Sequence, residues 1–359
     1  MEGALGAIVS DGQHGGLLDR ELAALGIAPD DVLDASVNVN PYGPSPRLVE
    51  AIRGASIHRY PDPTAHTARV AIAAAVGTRT ERVVLGNGAV DLLWTLVRAL
   101  LPPGRAIVVA EPAFSEVAAA AAATGGRVMT CRARPEDGFR VDLEDVAATA
   151  RRTDARLVYL CAPANPSGVA LEAAAVAELA RRHPALLVVL DESFLALSER
   201  HRDERHPMPD NVVRVRSMTK EHAIAGVRVG YLVAKEEIAA RIERARPPWT
   251  TSTLAQAAAV AAVLDRAFVD ESRDRWIGDR RRLVATLQEL GFDPVASSTI
   301  FFLVPVRDGA SVRARFLADH RVLVRDCGSF GLPGFVRVCA QPPERELRLV
   351  AAFRAEAGR

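Results

Sequence analysis

The sequence predicts an α/β fold: a mainly parallel, seven-stranded sheet covered by helices, with a second, smaller α+β domain after it. Two observations carry this. Short β-branched runs alternate with alanine-rich stretches of helical period. The alternation stops after Pro247-Pro248-Trp249, where longer helices precede shorter strands. Strands are expected over 82–85, 106–110, 127–132, 156–161, 186–190, 212–216 and 227–233, with helices over 89–101, 115–123, 171–183 and 236–246. Beyond 247, helices are expected over 254–264 and 265–290, and strands over 299–305, 322–325 and 335–339. The first 40 or so residues hold no convincing strand and read as an arm packing on the small domain or a neighbouring subunit. Residues 1–44 are therefore assigned to an arm and part of the small domain, 45–246 to the large domain and 247–359 to the small one.

A chain of 359 residues has ample material for a buried core. Its net charge of +1 makes no electrostatic case for nucleic acid or an anionic membrane. No run reaches the roughly 18 apolar residues that span a bilayer, and Met1-Glu2-Gly3-Ala4 lacks the pattern of a signal peptide. A cytoplasmic protein is expected. Cys131, Cys161, Cys327 and Cys339 show neither CxxC spacing nor a histidine at metal-ligand distance, so no metal site is expected.

Each expected strand of the large domain ends in polar or glycine residues, and in open α/β sheets ligands bind outside those carboxyl ends. Gly86-Asn87-Gly88-Ala89-Val90-Asp91 follows a strand and opens a helix, where free N–H groups and the helix dipole suit a phosphate. Asp91 stands where a dinucleotide-binding fingerprint needs its third glycine, so a nicotinamide enzyme is disfavoured. Asp191 ends an apolar strand, as a helix cap or as a buried anion that keeps a heterocyclic nitrogen protonated. Asn165, before Pro166, is a turn residue or a donor to a phenolate oxygen. Among the 45 Lys and Arg only Lys220 and Lys235 are lysines. Lys220 lies in Ser217-Met218-Thr219-Lys220, eight residues before Arg228. A lysine amine forms an imine where a guanidinium cannot. Hydroxyls and an arginine around it suit a phosphate.

The order of these parts, with Phe114 and a late arginine, resembles the class I/II aminotransferase family of fold-type I enzymes over nearly the whole chain. The resemblance implies pyridoxal 5′-phosphate as cofactor and a homodimer with shared active sites. It implies that Lys220 carries the cofactor as an imine and then shuttles the Cα proton. Gly88, Ala89 and Val90 would present backbone donors to the phosphate, with Ser217, Thr219 and Arg228. Asp191 would pair with the ring nitrogen, Asn165 with the ring hydroxyl, and Phe114 would stack on the ring. Tyr60 would reach the phosphate held by the partner subunit. Arg337 matches the family's substrate-anion arginine, Arg325 a less general second one, and Asn38 a further substrate contact.

Two branches of the family share finer patterns with the chain. Asn40-Pro41-Tyr42-Gly43-Pro44 and Tyr60-Pro61-Asp62-Pro63 resemble histidinol-phosphate aminotransferases. His14-Gly15-Gly16, Asn38-Val39-Asn40-Pro41 and Arg325-Asp326-Cys327 look more like threonine-phosphate decarboxylases, although Leu17 replaces the polar residue expected after the glycines. Phe194 stands where many aminotransferases carry a tyrosine that bonds the ring oxygen, and it too resembles the decarboxylases. Amino transfer is the leading expectation, with decarboxylation of an O-phospho amino acid, or another carbanion reaction such as elimination or C–C bond formation, as the alternatives.

Overall fold

The structure is a computed structural model that describes residues 15–358. A two-residue strand β1 (Leu33–Asp34) comes first in the chain. The large sheet follows: β2 (Val83–Gly86), β3 (Ala106–Glu111), β4 (Arg127–Arg132), β5 (Leu157–Cys161), β6 (Leu187–Asp191), β7 (Val212–Ser217) and β8 (Gly230–Val233). Their order is β2-β8-β7-β6-β5-β3-β4, and all pairings are parallel except the two that β8 makes.

The central strands are buried on both faces, and their residues alternate between two cores. Ile107 and Val109 of β3 and Leu157 and Tyr159 of β5 join one core with the helices Gly88–Leu100, Glu116–Ala123 and Glu236–Arg244. Val108, Ala110, Val158 and Leu160 join the other, against Leu143–Thr153 and Ala173–Arg182. β4, paired only with β3, closes one end of the sheet and exposes Arg127 and Arg132, as an edge strand should. Several helices start on side-chain caps, with Ser45, Asp142 and Ser252 accepting first-turn N–H bonds.

The chain forms two compact units: one of residues 42–165 and 169–273, the other of described residues up to Pro41, Pro166–Gly168, and those from Asp274 onward. The expected boundary after Arg246 is therefore displaced to within the helix Arg266–Glu289. The cause is packing: the alanine-rich helix Thr253–Leu264 buries Ala255, Ala258, Ala259 and Ala262 with Leu48, Ile72 and Val229 of the larger unit. Likewise Tyr42, Gly43 and Pro44 belong to the larger unit, not to the arm.

In the smaller unit β9 (Phe301–Pro305), β11 (Arg325–Asp326) and β12 (Phe335–Cys339) form an antiparallel sheet in the order β11-β12-β9. β10 (Val322–Leu323) pairs in parallel with β1, so the early residues do contribute a strand. The expected strand over 322–325 is thus split between two sheets. Phe316 and Phe353, from the helices Gly309–His320 and Pro343–Ala357, meet edge to face at 5.0 Å in this core.

Candidate active site

Three strand ends meet in the larger unit. Gly86 ends β2, Gly230 opens β8, and Ser217 ends β7; Gly230 lies opposite both of the others. A Cβ on Gly230 would stand 2.7 Å from Ala89 N, so only glycine lets the first turn of the helix Gly88–Leu100 close onto these ends. Gly88 has φ +80°, and a Cβ there would lie 2.7 Å from Arg228 Nη2. Arg228 itself adopts φ +61° and is held by a 2.8 Å bond from Nη1 to Ala225 O.

The first N–H groups of a helix have no partner within it, so Ala89 and Val90 offer donors in the turn that begins at Gly88, against which the Arg228 guanidinium lies. Asp91 occupies a different donor, accepting from Asn87 N at 2.9 Å. Ser217 Oγ and Thr219 Oγ1 are 2.7 Å apart, and Lys220 Nζ donates to Ser217 Oγ at 3.3 Å. Two hydroxyls, two cations and a helix N-terminus make a cradle for a dianion. Lys220 Nζ also stands 4.9 Å from the centre of the Phe194 ring, which is buried.

Asp191 ends β6 and is only 6% exposed. Its Oδ1 accepts from Ser193 N at 2.9 Å and its Oδ2 from the Tyr159 hydroxyl at 2.7 Å. Asn165 is buried at the turn after β5, and Phe114, half-buried after β3, packs on the adjoining core. These side chains of the larger unit fit pyridoxal phosphate: the cradle that a Cβ on Gly88 would fill suits its phosphate, and a buried carboxylate suits its ring nitrogen. Tyr60 is placed differently; it is 82% exposed and its ring lies 5.0 Å from that of Trp249.

Sequence reasoning missed Tyr159 and Cys161. Both sit inside an apolar run, but their spacing of two puts them on one sheet face, and Cys161 is the register partner of Asp191. It also passed over Glu192. That buried carboxylate accepts from Arg214 at 2.6 and 2.8 Å and from Arg216 at 2.9 Å, while Arg216 also reaches Glu204 at 3.2 Å. Burial opposes the charge on Arg216, and Glu192, Tyr231 and Glu204 more than offset it, raising its pKa.

In the smaller unit Arg325 and Arg337 are buried register partners on β11 and β12. Burial depresses both guanidiniums, Arg337 to about 10. Arg337 Nη2 donates to Ser36 O at 2.6 Å and Arg325 Nη2 to Ser329 Oγ at 2.6 Å. Asn38 is buried, and its Oδ1 has no hydrogen-bond partner among the described residues. Of the glycine arm, His14 lies outside the described residues; Gly16 N donates to Ser36 Oγ at 2.9 Å.

Gly88→Ala tests the cradle. The substitution strains a left-handed position by about 1–2 kcal/mol and pushes against Arg228. The expected result is a roughly tenfold weaker Kd for pyridoxal phosphate, the factor of about 1.4 kcal/mol. Binding of pyridoxal, which lacks the phosphate, should be little changed, and fluorescence titration of both ligands distinguishes these cases.

The family model for aminotransferase class I and II matches residues 30–353. A histidinol-phosphate aminotransferase of Symbiobacterium thermophilum is 37% identical over 91% of this chain and 91% of its own. The structure of histidinol-phosphate aminotransferase from Sinorhizobium meliloti in complex with pyridoxal-5′-phosphate superposes with a TM-score of 0.85 at 28% identity, over 96% of this chain and 95% of that one. L-threonine-O-3-phosphate decarboxylase from Porphyromonas gingivalis shares the fold, with a TM-score of 0.79 at 24% identity over 90% of this chain and 99% of that one. The chain belongs to the class I and II aminotransferase family, whose cofactor is pyridoxal 5′-phosphate.

Proposed function

We propose that this aminotransferase moves the amino group of histidinol phosphate to a 2-oxo acid, working as a cytoplasmic homodimer. The observation that carries the substrate is the 37% identity, over nine-tenths of both chains, to a histidinol-phosphate aminotransferase. The buried pair Arg325 and Arg337 supports it, because a bound phosphate offsets the desolvation that depresses both guanidiniums.

Pyridoxal phosphate supplies an electron sink for the carbanion at Cα. The protein's own residues do the rest. Ser217, Thr219, Arg228 and the N–H groups of Gly88, Ala89 and Val90 hold the phosphate. Asp191 keeps the ring nitrogen protonated, Asn165 donates to the ring oxygen and Phe114 covers the ring face. Lys220 Nζ would be the amine that holds the cofactor and, once freed, the base that carries the Cα proton. Arg337, with Arg325 and Asn38, binds the polar end of the substrate. Tyr60, exposed in its own chain, is free to reach a phosphate held by a second copy. Four free, buried cysteines accord with a reducing compartment. Among the described residues no helix is long and apolar enough to cross a membrane.

One observation favours a second reading. Phe194 places a ring without a hydroxyl beside Lys220, which leaves the cofactor's ring oxygen one donor short and suits decarboxylation of an O-phospho amino acid. Mass spectrometry of the loaded protein with histidinol phosphate or O-phosphothreonine, each with and without 2-oxoglutarate, separates the two. Glutamate formed from histidinol phosphate only when the acceptor is present is the expected result. CO2 released from O-phosphothreonine without acceptor would replace the proposal with the second reading.

A further inference from the structure

The carboxylate of Asp191 is the end of a buried polar chain inside an otherwise apolar core. Cys161 Sγ donates to the Tyr159 hydroxyl at 3.2 Å, and that hydroxyl donates to Asp191 Oδ2 at 2.7 Å. The Cys161 sulfur in turn accepts backbone N–H bonds from Phe114 and Asn165. One chain of contacts thus touches three positions assigned to the cofactor ring: its face, its oxygen and its nitrogen. Tyr159 is fully buried and Cys161 nearly so. Alternation along β5 turns both toward the core that Val189 of β6 also enters, while the register sets Cys161 beside Asp191.

We propose that Tyr159 and Cys161 are positioning residues that fix the Asp191 carboxylate, so that its remaining acceptor positions hold the proton-bearing ring nitrogen of the cofactor. This rests on the pyridoxal phosphate reading above. The physics is that of a charged acceptor in a dry site. Each carboxylate oxygen has two acceptor positions, so Ser193 N–H and Tyr159 O–H occupy one on each oxygen and leave room for a ring N–H. Because the thiol donates to the phenol oxygen, the hydroxyl hydrogen is directed to Asp191, and each bond polarises the next. Burial, and then the Asp191 charge, raise the phenol far above its ordinary pKa, so Tyr159 keeps its proton and donates it to Asp191. Burial likewise pushes the Cys161 thiol up to about 12, which keeps its proton on sulfur.

The test is 15N NMR of the protein loaded with ring-15N pyridoxal phosphate, together with the cofactor's Kd, for the parent, Tyr159→Phe and Cys161→Ala. Tyr159→Phe removes one oxygen and preserves the ring that fills the core. It should move the 15N resonance toward that of unprotonated pyridine. The Kd should weaken about tenfold or more, the factor carried by a hydrogen bond to a charged group. Cys161→Ala should move both readouts in the same direction by less, and serves alone if Tyr159→Phe does not fold. In an Asp191→Asn background Tyr159→Phe should add nothing, since no carboxylate remains to be held. A 15N resonance unchanged in Tyr159→Phe, or in Cys161→Ala where that variant stands alone, overturns the proposal. Failure of the parent to bind the cofactor would instead sink the reading on which it rests.

Discussion

Lys220→Ala is expected to lower turnover by at least about 10⁴-fold, in the range seen when the covalent residue of an enzyme is removed. Lys220 Nζ lies within hydrogen-bond distance of Ser217 Oγ and over the Phe194 ring. The only other lysine, Lys235, lies beyond β8 beside Glu237, where its nitrogen is 3.5 Å from that carboxylate. No second amine in the described chain is so placed between hydroxyls and an aromatic face. The substitution removes one cation of the cradle but leaves Arg228, Ser217, Thr219 and the helix start at Gly88, so the cofactor should still bind, released by gel filtration rather than held as a covalent adduct. Borohydride reduction followed by peptide mapping reads this directly: the parent should carry the label on Lys220, and the variant none. A variant that retains even a hundredth of parental turnover would assign the imine to another group.

Glu192→Ala should be the most damaging substitution outside the cofactor cluster. Glu192 is 2% exposed in its side chain and satisfies two arginines, themselves 13% and 12% exposed. Removing one member of a buried ion cluster leaves the others charged and desolvated, at a cost of about 3–5 kcal/mol. Arg214 also donates to the carbonyls of Asp203, Glu204 and His206, and Arg216 and Arg266 both pair with Glu204. The loss should therefore spread through the 198–210 segment as well as loosening the turn that follows Asp191. Chemical unfolding followed by circular dichroism, beside limited proteolysis of that segment, would show both. A midpoint unchanged from the parent would mean that the cluster is screened by water. Glu192→Gln, which keeps the volume and loses only the charge, should fall between the two.

The strand ends were legible because each is marked by a chemical change along one stretch of chain. Apolar runs stop at Gly86, Asp191 and Ser217, and the parallel sheet follows from their alternation with helices. The strand expected over 227–233 begins instead at Gly230, because Ala225–Val227 turns as a 3₁₀ helix and Arg228 is left-handed. That conformation is invisible to a reading in which arginine is an ordinary strand residue. Features defined by a distant partner were also missed. β1 is two residues long and exists only through β10. Pro247-Pro248-Trp249 marks a change of pattern, yet the helix after it packs on Leu48 and Ile72, some 200 residues earlier in the chain. Tyr159 and Cys161 read as apolar strand until the β5–β6 register set them beside a carboxylate. Glu192 was passed over, since nothing local says that Arg214 and Arg216 turn toward it.

The antiparallel strand β8 has a consequence for how the protein loads its cofactor. Because β7 and β8 run in opposite directions, the segment between Ser217 and Gly230 leaves and re-enters the sheet at one edge. Lys220 and Arg228 are therefore carried on a single hairpin-like excursion, anchored by Met218 N to Val229 O at 3.2 Å. A local opening of that excursion would release together the two cations, Lys220 and Arg228, that are proposed to hold the cofactor. A ligand that grips both ends must in return clamp it shut by mass action. Cofactor occupancy and the local stability of this one loop are thus two measures of the same equilibrium.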